Sequence, residues 1–333
     1  MGDMGLSART IGRWSDRRVL ITGAAGLLGR ALIAELAQRG SHAIGLDIAW
    51  TDAEVRSSGS VLTPVRGDVR DRALIDRLIR QERPDTVVHL AAQTLVGPAV
   101  EDPIETFSCN VEGSWTILDA CRNAESVVRI VVASSDKAYG DMRGRPYRET
   151  MALMADRPYD ASKAMTDIVA RTFANTYGLP VAITRCANLY GGGDLNWSRI
   201  VPGTIRSVLE ETEPVIRSDG TYVRDYLFVR DAAIAVLVLA EAVGRRRDVH
   251  GQAYNFADRQ RLSALEMVER ILNVMRSPLR PRILDIARNE VPVQRVSAKR
   301  ARIELGWRPL VGLDQGLAET VEWYRTYLSG SNS

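Results

Sequence analysis

The hydrophobic positions of this chain fall into short apolar runs that are separated by longer amphipathic stretches. Six runs have the length and composition of buried strands, and they lie at residues 18–22, 42–47, 61–65, 86–90, 128–133 and 180–185. Helical spacing of apolar residues follows several of them, most clearly at 104–123 and after Tyr159. Strands that alternate with helices in this way predict an α/β fold with a doubly wound parallel sheet.

The pattern changes after Arg185. We predict a flexible loop at 188–194, a helix from about 199, a strand at 214–217 and a returning strand at 224–229, followed by an apolar helix at 231–239. These elements predict a loose tail at 1–16, a first domain formed by 17–187 plus 229–258, and a smaller α/β domain formed by 188–228 plus 259–328.

A glycine-rich turn joins the first predicted strand to a helix and contains Gly23, Gly26 and Gly29. Strand, glycine turn and helix form the context of a dinucleotide-binding fingerprint. The first glycine permits the tight turn, the second lets the backbone approach a pyrophosphate, and the third lets helix and strand pack closely. The second strand ends in Asp47, whose carboxylate would bond the adenosine ribose and repel a 2′-phosphate. The sequence therefore predicts NAD as the cofactor.

Polar residues also follow the third and fifth predicted strands. Asp68 either reaches the adenine edge or caps the helix that begins near Asp71. Ser135, Asp136 and Lys137 follow the fifth strand. Open α/β sheets place their chemistry at the carboxyl ends of such strands, so these residues are candidates for a reactive site.

Tyr159 and Lys163 are four residues apart in a helix-compatible stretch, so their side chains project from one helix face. A free tyrosine is a poor base at neutral pH because its pKa is about 10. A nearby ammonium favours the phenolate and lowers that pKa. Downstream of a cofactor site, the pair predicts a general base for a hydroxyl group.

Several arginines lie near turns in the second half of the chain: Arg185, Arg199, Arg217 and Arg224. Guanidinium groups bind phosphate oxygens well, so we expect a diphosphate near Arg199 and Arg224 above all. Surface salt bridges are the alternative explanation for each of them.

Composition narrows the class of protein. A net charge of +3 with 26% charged residues argues against nucleic-acid or membrane binding through bulk charge. The three cysteines have neither metal-site nor disulfide-framework spacing, which favours a reducing compartment. No secretory segment and no apolar run near 18 residues is present, so we expect a soluble cytoplasmic protein.

Together these motifs resemble the extended short-chain dehydrogenase/reductases that act on nucleotide sugars. The resemblance extends from about Arg18 to Tyr327 and implies a Rossmann domain that binds NAD. Its marks are Gly23, Gly26, Gly29, Asp47, Asp68, Val69, His89, Leu90, Ala91, Ala92, Asn110, Tyr159, Lys163, Asn188, Arg224 and Asp225. It implies further NAD contacts from Leu27, Leu28 and Ile48, and substrate contacts from Gln93, Asn188, Arg199, Arg217 and Arg224.

Within this family the sequence looks most like the CDP-glucose 4,6-dehydratases, on the stretches 91–96, 103–111, 135–137 and 191–202. By that resemblance, Ser135 would hydrogen-bond the sugar 4-hydroxyl, Tyr159 would take its proton, and Lys163 would hold the nicotinamide ribose. Asp136 and Lys137 would then be the acid and base that eliminate water across C5 and C6 of the oxidised sugar.

Lys137 departs from many dTDP-glucose relatives, which have Asp-Glu at positions 136 and 137. A lysine is a base only in its neutral form, which burial favours and pairing with Asp136 opposes. We expect Lys137 to act at C5, so that Lys137→Ala keeps hydride transfer and loses water elimination.

Two other functions remain open at this point. A 4-epimerase needs the same Tyr159 and Lys163 but no acid/base pair for C6, and a protein that only binds NAD as a sensor needs neither. The nucleotide, whether CDP-, GDP-, dTDP- or UDP-linked, and the sugar are also open.

The resemblance also implies a homodimer, because members of this family pair through the helices that correspond to 104–123 and to the Tyr159 helix. The apolar residues of these helices supply either a dimer surface or packing against the sheet, and they are Ile117, Leu118, Cys121, Ile168 and Phe173.

Overall fold

A seven-stranded parallel sheet is the centre of the computed structural model, which describes residues 14–56, 59–287 and 290–330. The strands of the described chain are β1 (Arg18–Thr22), β2 (His42–Asp47), β3 (Leu62–Arg66), β4 (Thr86–His89), β5 (Arg129–Ser135), β6 (Val181–Cys186), β7 (Asn188–Tyr190), β8 (Val215–Ile216), β9 (Val223–Phe228), β10 (Ala253–Phe256), β11 (Arg261–Ser263) and β12 (Arg282–Ile283). The large sheet has the order β10-β6-β5-β4-β1-β2-β3. This order confirms the predicted doubly wound parallel sheet.

Helices cover both faces of the sheet. They are α1 (Leu27–Gln38), α2 (Asp52–Arg56), α3 (Arg72–Glu82), α4 (Val96–Glu101), α5 (Pro103–Phe107), α6 (Gly113–Arg122), α7 (Pro158–Tyr177), α8 (Ile200–Leu209), α9 (Val229–Arg245), α10 (Ala264–Met275), α11 (Lys299–Glu304) and α12 (Leu313–Gly330). The strands are nearly continuous apolar runs because the helices exclude water from both faces. Two separate apolar clusters result, one on each face.

The long helix predicted at 104–123 is formed by three consecutive helical segments that differ in their hydrogen-bond pattern. It consists of α5, a π-helical turn at Ser108–Glu112, and α6. Such turns insert one residue into a helix and are frequent at functional sites. This one contains Asn110.

A smaller unit lies beside the carboxyl ends of the strands. It contains the three-stranded sheet β11-β9-β7, the two-stranded sheet β12-β8, and a third apolar cluster to which α8, α10 and α12 contribute. Its chain is interrupted, because α9 packs on the large sheet and β10 pairs with β6.

The prediction of a flexible loop at 188–194 is wrong for its first three residues. Asn188–Tyr190 form β7, which pairs in parallel with Tyr226–Phe228 of β9. The pairing partner is distant along the chain, so no local sequence pattern predicts this strand. A turn through Gly191 follows, where a Cβ atom would lie 2.3 Å from Cγ1 of Val229.

The predicted tail at 1–16 falls largely on residues outside the described part of the chain. Trp14, however, is buried in the apolar cluster that contains Leu32 and Leu36. The backbone oxygen of Trp14 accepts a hydrogen bond from Arg17, and the Arg17 guanidinium lies 5.6 Å from the centre of the indole ring. Trp14 therefore belongs to the folded core and not to a loose tail.

Candidate functional site

A cleft of about 1170 Å³ opens at the carboxyl ends of the central strands, between the large sheet and the smaller unit. The sheet order reverses at β1, whose neighbours are β2 on one side and β4 on the other. Open α/β sheets bind ligands at such a switch point. The volume exceeds that of most single small-molecule pockets, which suits two large ligands side by side.

The glycine turn forms one end of the cleft. Gly23 has a φ of +73°, and a Cβ atom on it would lie 2.7 Å from the backbone nitrogen of Ala91. A Cβ atom on Gly29 would lie 2.3 Å from the Gly23 oxygen, so the turn and α1 touch through bare backbone. Gly26 is the N-cap of α1 and provides no side-chain cap for its first amides. This uncapped helix start suits a pyrophosphate.

Asp47 stands at the end of β2 beside this turn. Its Oδ2 accepts a hydrogen bond of 2.9 Å from the Ala25 nitrogen, and its Oδ1 accepts one of 2.8 Å from the Ala49 nitrogen. Both bonds fix the carboxylate at the cleft edge, next to Leu27, Leu28 and the exposed Ile48. The position is that expected for a carboxylate that binds a ribose.

Asp68 and Asp71 have different functions after β3. The Asp71 carboxylate caps α3 by accepting a hydrogen bond of 3.0 Å from the Leu74 nitrogen. Asp68 instead lines the cleft beside Val69, and its carboxylate pairs with the Arg70 guanidinium, which lowers the Asp68 pKa. Of the two alternatives for Asp68, capping is therefore wrong.

The segment after β4 forms the cleft wall with Leu90, Ala91 and Ala92. Gln93 and Asn110 are not among the residues that line the cleft. The Asn110 side chain bonds the backbone nitrogen and oxygen of Gln93 and so braces the wall segment. His89 is a core histidine, because its ring bonds the hydroxyls of Thr22 and Ser114 and burial lowers its pKa to about 3.

Two elements bring the predicted reactive residues together. β5 runs two residues further than predicted, to Ser135, and a 3₁₀ turn at Asp136–Tyr139 follows. Helix α7 starts with Pro158, which suits a first helical position, and ends before Gly178 in the left-handed conformation. It places Tyr159 and Lys163 in the same cleft as Ser135, Asp136 and Lys137.

Burial dominates the electrostatics of the Tyr159–Lys163 pair. It raises the pKa of Tyr159 to about 12, although the Ser135 hydroxyl and the Arg199 charge act in the opposite direction. It also lowers the pKa of Lys163 to about 8. The Lys163 Nζ donates a hydrogen bond of 2.7 Å to the Ala133 oxygen. In the protein's own groups, burial therefore keeps the pKa of Tyr159 above its ordinary value, and the lowering by Lys163 stays a prediction.

Asp136 and Lys137 differ in burial. Asp136 is buried, which raises its pKa, and its Oδ1 accepts a hydrogen bond of 3.2 Å from the Ser135 hydroxyl. Among the described residues, its buried Oδ2 has no hydrogen-bond partner. Lys137 is half-buried and lines the cleft. The turn thus presents one unpaired carboxyl oxygen and one amine side by side.

Three of the predicted arginines line the opposite wall, which the smaller unit forms. Arg199 bonds the Asp194 carboxylate at 3.0 Å, and Arg224 bonds the Glu290 carboxylate at 3.0 Å. Arg217 donates to the Ser198 oxygen. Asn188 also lines the cleft.

Arg185 is different from the other predicted arginines. It is buried at the end of β6 and pairs with the Asp167 carboxylate at 2.7 Å. Its guanidinium therefore stabilises the fold through this ion pair and is not available to bind a phosphate.

Sequence reasoning missed several cleft residues. Asp160 lines the cleft directly after Tyr159, but it stands at no strand end and in no motif that would mark it. Thr94, Cys109 and Arg157 also line the cleft. Thr94 and Arg157 lie in irregular segments and Cys109 in the π turn, so no strand or helix pattern identified them.

The model of the NAD dependent epimerase/dehydratase family matches residues 19–257. The chain belongs to this family. Its cofactor is NAD, and the glycine turn, the uncapped start of α1 and the fixed Asp47 carboxylate fit that group.

Individual proteins similar to this chain are nucleotide-sugar dehydratases and epimerases by name. A dTDP-glucose 4,6-dehydratase of Xanthomonas campestris pv. campestris is 31% identical over 331 residues, which covers 92% of this chain and 93% of that protein. The solved dTDP-glucose 4,6-dehydratase of Streptomyces venezuelae, with NAD bound, has a TM-score of 0.84, 28% identity, and 94% and 98% coverage of the two chains. The UDP-glucose 4-epimerase of Thermotoga maritima has a TM-score of 0.85, 26% identity, and 93% and 99% coverage.

In the part of the chain that the structure describes, every helix is too short or too polar to cross a membrane.

Proposed function

We propose that this protein is an NAD-dependent nucleotide-sugar 4,6-dehydratase. The observation that supports it best is the turn after β5, where the unpaired Oδ2 of Asp136 and the amine of Lys137 stand beside the Tyr159–Lys163 pair. Dehydration needs an acid for the C6 hydroxyl and a base for the C5 proton, in addition to the oxidising groups. The dehydratase names of the relatives agree with this choice.

The reaction begins with oxidation at C4. Ser135 orients the sugar 4-hydroxyl, and Tyr159 takes its proton. Bound NAD⁺ would accept the hydride from C4, favour the phenolate through its positive charge, and return the hydride to C6. Lys163 holds the nicotinamide ribose from its place beside Ala133.

Elimination follows, because the 4-ketone acidifies the proton on C5. Lys137 takes that proton, the C6–O bond breaks as the C5–C6 double bond forms, and Asp136 gives its proton to the departing hydroxyl to make water. Burial raises the pKa of Asp136, which favours the protonated form that this step needs.

The identity of residue 137 supports a base at that position. Of the 44 basic residues of the chain, only Lys137, Lys163 and Lys299 are lysines. Arginine does not lose its proton in proteins, whereas lysine does so when its surroundings favour the amine. Two of the three lysines, Lys137 and Lys163, therefore line the cleft, where a side chain that can release its proton can act as a base.

The substrate is a nucleoside-diphosphate sugar, with a CDP-glucose-like compound as the preferred candidate. Arg199, Arg217 and Arg224 supply guanidinium groups for the diphosphate on the wall formed by the smaller unit. The preference for CDP rests on the resemblance of 91–96 and 135–137, while the relatives compared above have dTDP-glucose in their names.

A nucleotide-sugar 4-epimerase is the second candidate, favoured by the likeness to the Thermotoga maritima enzyme. Epimerisation would use Tyr159 and Lys163 in the same way, but Asp136 and Lys137 would then take no part in the reaction.

Mass spectrometry of purified protein with CDP-, dTDP-, GDP- and UDP-glucose tests the proposal. Loss of one water from one of these sugars is the expected result and identifies the nucleotide. A product of unchanged mass with inverted C4 would replace dehydration by epimerisation. Retention of NAD with no turnover of any sugar would overturn the enzymatic function.

A further inference from the structure

The turn that carries Asp136 and Lys137 is supported by a buried polar network that the mechanism above does not use. The turn ends at Tyr139, which is fully buried and is not among the residues that line the cleft. The Tyr139 hydroxyl accepts a hydrogen bond of 2.7 Å from Nη1 of Arg185 and donates one of 2.8 Å to Oδ1 of Asn255. Burial raises the pKa of Tyr139 to about 12, so the hydroxyl keeps the proton that it donates.

Through Arg185 the network reaches the helix that bears the oxidising pair. Arg185 lies at the end of β6, and its Nε donates a hydrogen bond of 2.7 Å to Oδ2 of Asp167 on α7. Both side chains are buried. Asp167 follows Lys163 by four residues, as Lys163 follows Tyr159, so each side chain lies next to the previous one on the helix surface. A chain of hydrogen bonds therefore connects the turn after β5 with α7.

Asn255 connects the same hydroxyl with a second part of the fold. It lies on β10, and its Nδ2 donates a hydrogen bond of 3.1 Å to the backbone oxygen of Tyr147. The Tyr147 ring stacks on the Tyr139 ring with 4.9 Å between their centres. The Tyr147 hydroxyl donates a hydrogen bond of 2.8 Å to the oxygen of Gly140, whose nitrogen donates one of 3.0 Å to the Lys137 oxygen. The end of the turn is therefore held from β6, from β10 and from the segment at Tyr147.

The stability of the fold alone is a weak reason for this network. A buried ion pair often stabilises a fold no better than apolar side chains of the same volume, because desolvation of two charges offsets their attraction. A buried polar network whose members are all bonded instead fixes one geometry. The start of the turn is already fixed, since Ser135 pairs with Cys186 in the sheet and its hydroxyl accepts a hydrogen bond from the Lys137 nitrogen. The Tyr139 hydroxyl supports the other end.

We propose, on the basis of the dehydratase function above, that the Tyr139 hydroxyl positions Asp136 and Lys137 for the elimination of water. It joins the end of the turn to α7 through Arg185, and so keeps the acid at C6 and the base at C5 while Tyr159 holds the oxygen on C4. Tyr139 is a positioning residue, because it acts through the turn and does not line the cleft. Oxidation at C4 does not depend on its hydroxyl, since α7 itself places Tyr159.

Tyr139→Phe tests this role, because it keeps the ring and removes only the hydroxyl. In single-turnover reactions with CDP-glucose, or with dTDP-glucose if the panel above selects it, NADH should form at the wild-type rate. The decay of NADH requires elimination and should slow by about 10²-fold, the effect expected when reacting groups are displaced by about 1 Å. Deuterium uptake from solvent at C5 should slow in parallel.

Tyr254→Phe is the matched control that separates positioning from a loss of stability. Tyr254 is an equally buried tyrosine on β10, and it is not among the residues that line the cleft. Its hydroxyl donates a hydrogen bond of 2.8 Å to Oε2 of Glu304. Both variants should unfold at lower urea concentration than the wild type, because each loses a buried hydrogen bond. Tyr254→Phe should nevertheless form NADH and reoxidise it at the wild-type rates.

Hydrogen exchange adds a measurement that needs no substrate. The backbone amides of Lys137 and Gly140 are hydrogen-bonded within the turn, so their exchange with solvent reports its opening. Both amides should exchange faster in Tyr139→Phe than in the wild type, and at the wild-type rate in Tyr254→Phe. Tyr147→Phe removes the bond to the Gly140 oxygen at the same end of the turn. It should slow NADH decay without slowing NADH formation, and it provides the test if Tyr139→Phe does not fold.

Three results would overturn the inference: NADH decay in Tyr139→Phe at the wild-type rate, equal slowing of NADH formation and decay, or equal slowing of decay in Tyr254→Phe. Wild-type protein that dehydrates no sugar would instead overturn the proposed function. The exchange of the two amides would then still show whether the Tyr139 hydroxyl supports the turn, and unchanged exchange would reject that support as well.

Discussion

The side chain of Asn110 is paired with the backbone of Gln93 at both ends of its amide. Its Oδ1 accepts a hydrogen bond of 2.7 Å from the Gln93 nitrogen, and its Nδ2 donates one of 3.0 Å to the Gln93 oxygen. A third bond of 2.8 Å reaches the Ser162 hydroxyl on α7. The π turn at 108–112 therefore fixes the wall segment after β4 to the helix that bears Tyr159.

Asn110→Ala should weaken both the fold and the retention of NAD. The change leaves two backbone groups of Gln93 without their partner, and each unsatisfied buried group costs about 1–3 kcal/mol. Urea unfolding and the NAD content after dialysis measure the two effects. Asn175→Ala, an exposed site on α7, is the control. Equal behaviour of the two variants would show that the wall segment does not need this brace.

Lys163→Met should unfold less readily than the wild type at pH 7. Burial lowers the pKa of Lys163 from 10.5 to about 8, so its ammonium destabilises the folded state at neutral pH, by on the order of 3 kcal/mol. Between pH 8 and 10.5 the unfolded chain binds more protons than the folded one, so the wild type gains stability as the pH rises.

The difference between Lys163→Met and the wild type should therefore shrink from pH 8 upward. Urea unfolding at pH 7, 8, 9 and 10 gives that difference directly, with Lys299→Met as the control because Lys299 is the exposed lysine. Loss of the bond to the Ala133 oxygen offsets part of the gain. A difference that grows with pH would contradict the lowered pKa.

Lys137→Ala and Lys137→Arg should both form NADH from substrate and fail to eliminate water. The alanine variant lacks the amine, and the arginine variant keeps the charge but cannot lose its proton. We expect elimination to fall by about 10²–10⁴-fold in each. Rapid-mixing absorbance and product mass measure the two half-reactions. Normal dehydration by the arginine variant would mean that the charge of residue 137, rather than its basicity, is what matters.

Of the five apolar residues that the sequence offered for a dimer surface, only Ile168 is exposed on the folded chain. Ile117, Leu118 and Cys121 are buried in the chain's own core, and Phe173 packs partly against it. The large apolar side chains that are exposed on α6 and α7 include Trp115 (47%), Met165 (47%) and Ile168 (51%). We propose that these side chains form the surface between two copies of the chain.

Trp115→Glu and Ile168→Glu should therefore give monomers in sedimentation velocity, because each places charges at a buried apolar contact. Ile303→Glu on α11 is the control, since Ile303 is 69% exposed and lies on another helix. Wild-type protein that sediments as a monomer, or variants that remain dimeric, would contradict this surface.

Local sequence patterns were sufficient to predict the first helices and strands of the fold. The bounds of β1 and β2, the glycine turn and the start of α1 follow from apolar runs and backbone requirements within a few residues. The same holds for the cofactor, because the fingerprint and Asp47 are contiguous with these elements.

Other elements depend on partners that are distant along the chain. β5 continues through the polar residues Ser134 and Ser135 because they pair with Arg185 and Cys186 of β6. β7 exists because β9 lies beside it. Trp14 joins the core although its sequence context resembles a tail.

The sequence by itself determined that a phenol, two amines and a carboxyl would be available near the end of a nucleotide-binding sheet. Only the tertiary structure decided their protonation, because burial, rather than spacing along a helix, raises the pKa of Tyr159 and lowers that of Lys163. It also placed Asp160 in the same cleft as Lys137. Desolvation and long-range charge depend on what the folded chain excludes from water, and no local pattern contains that information.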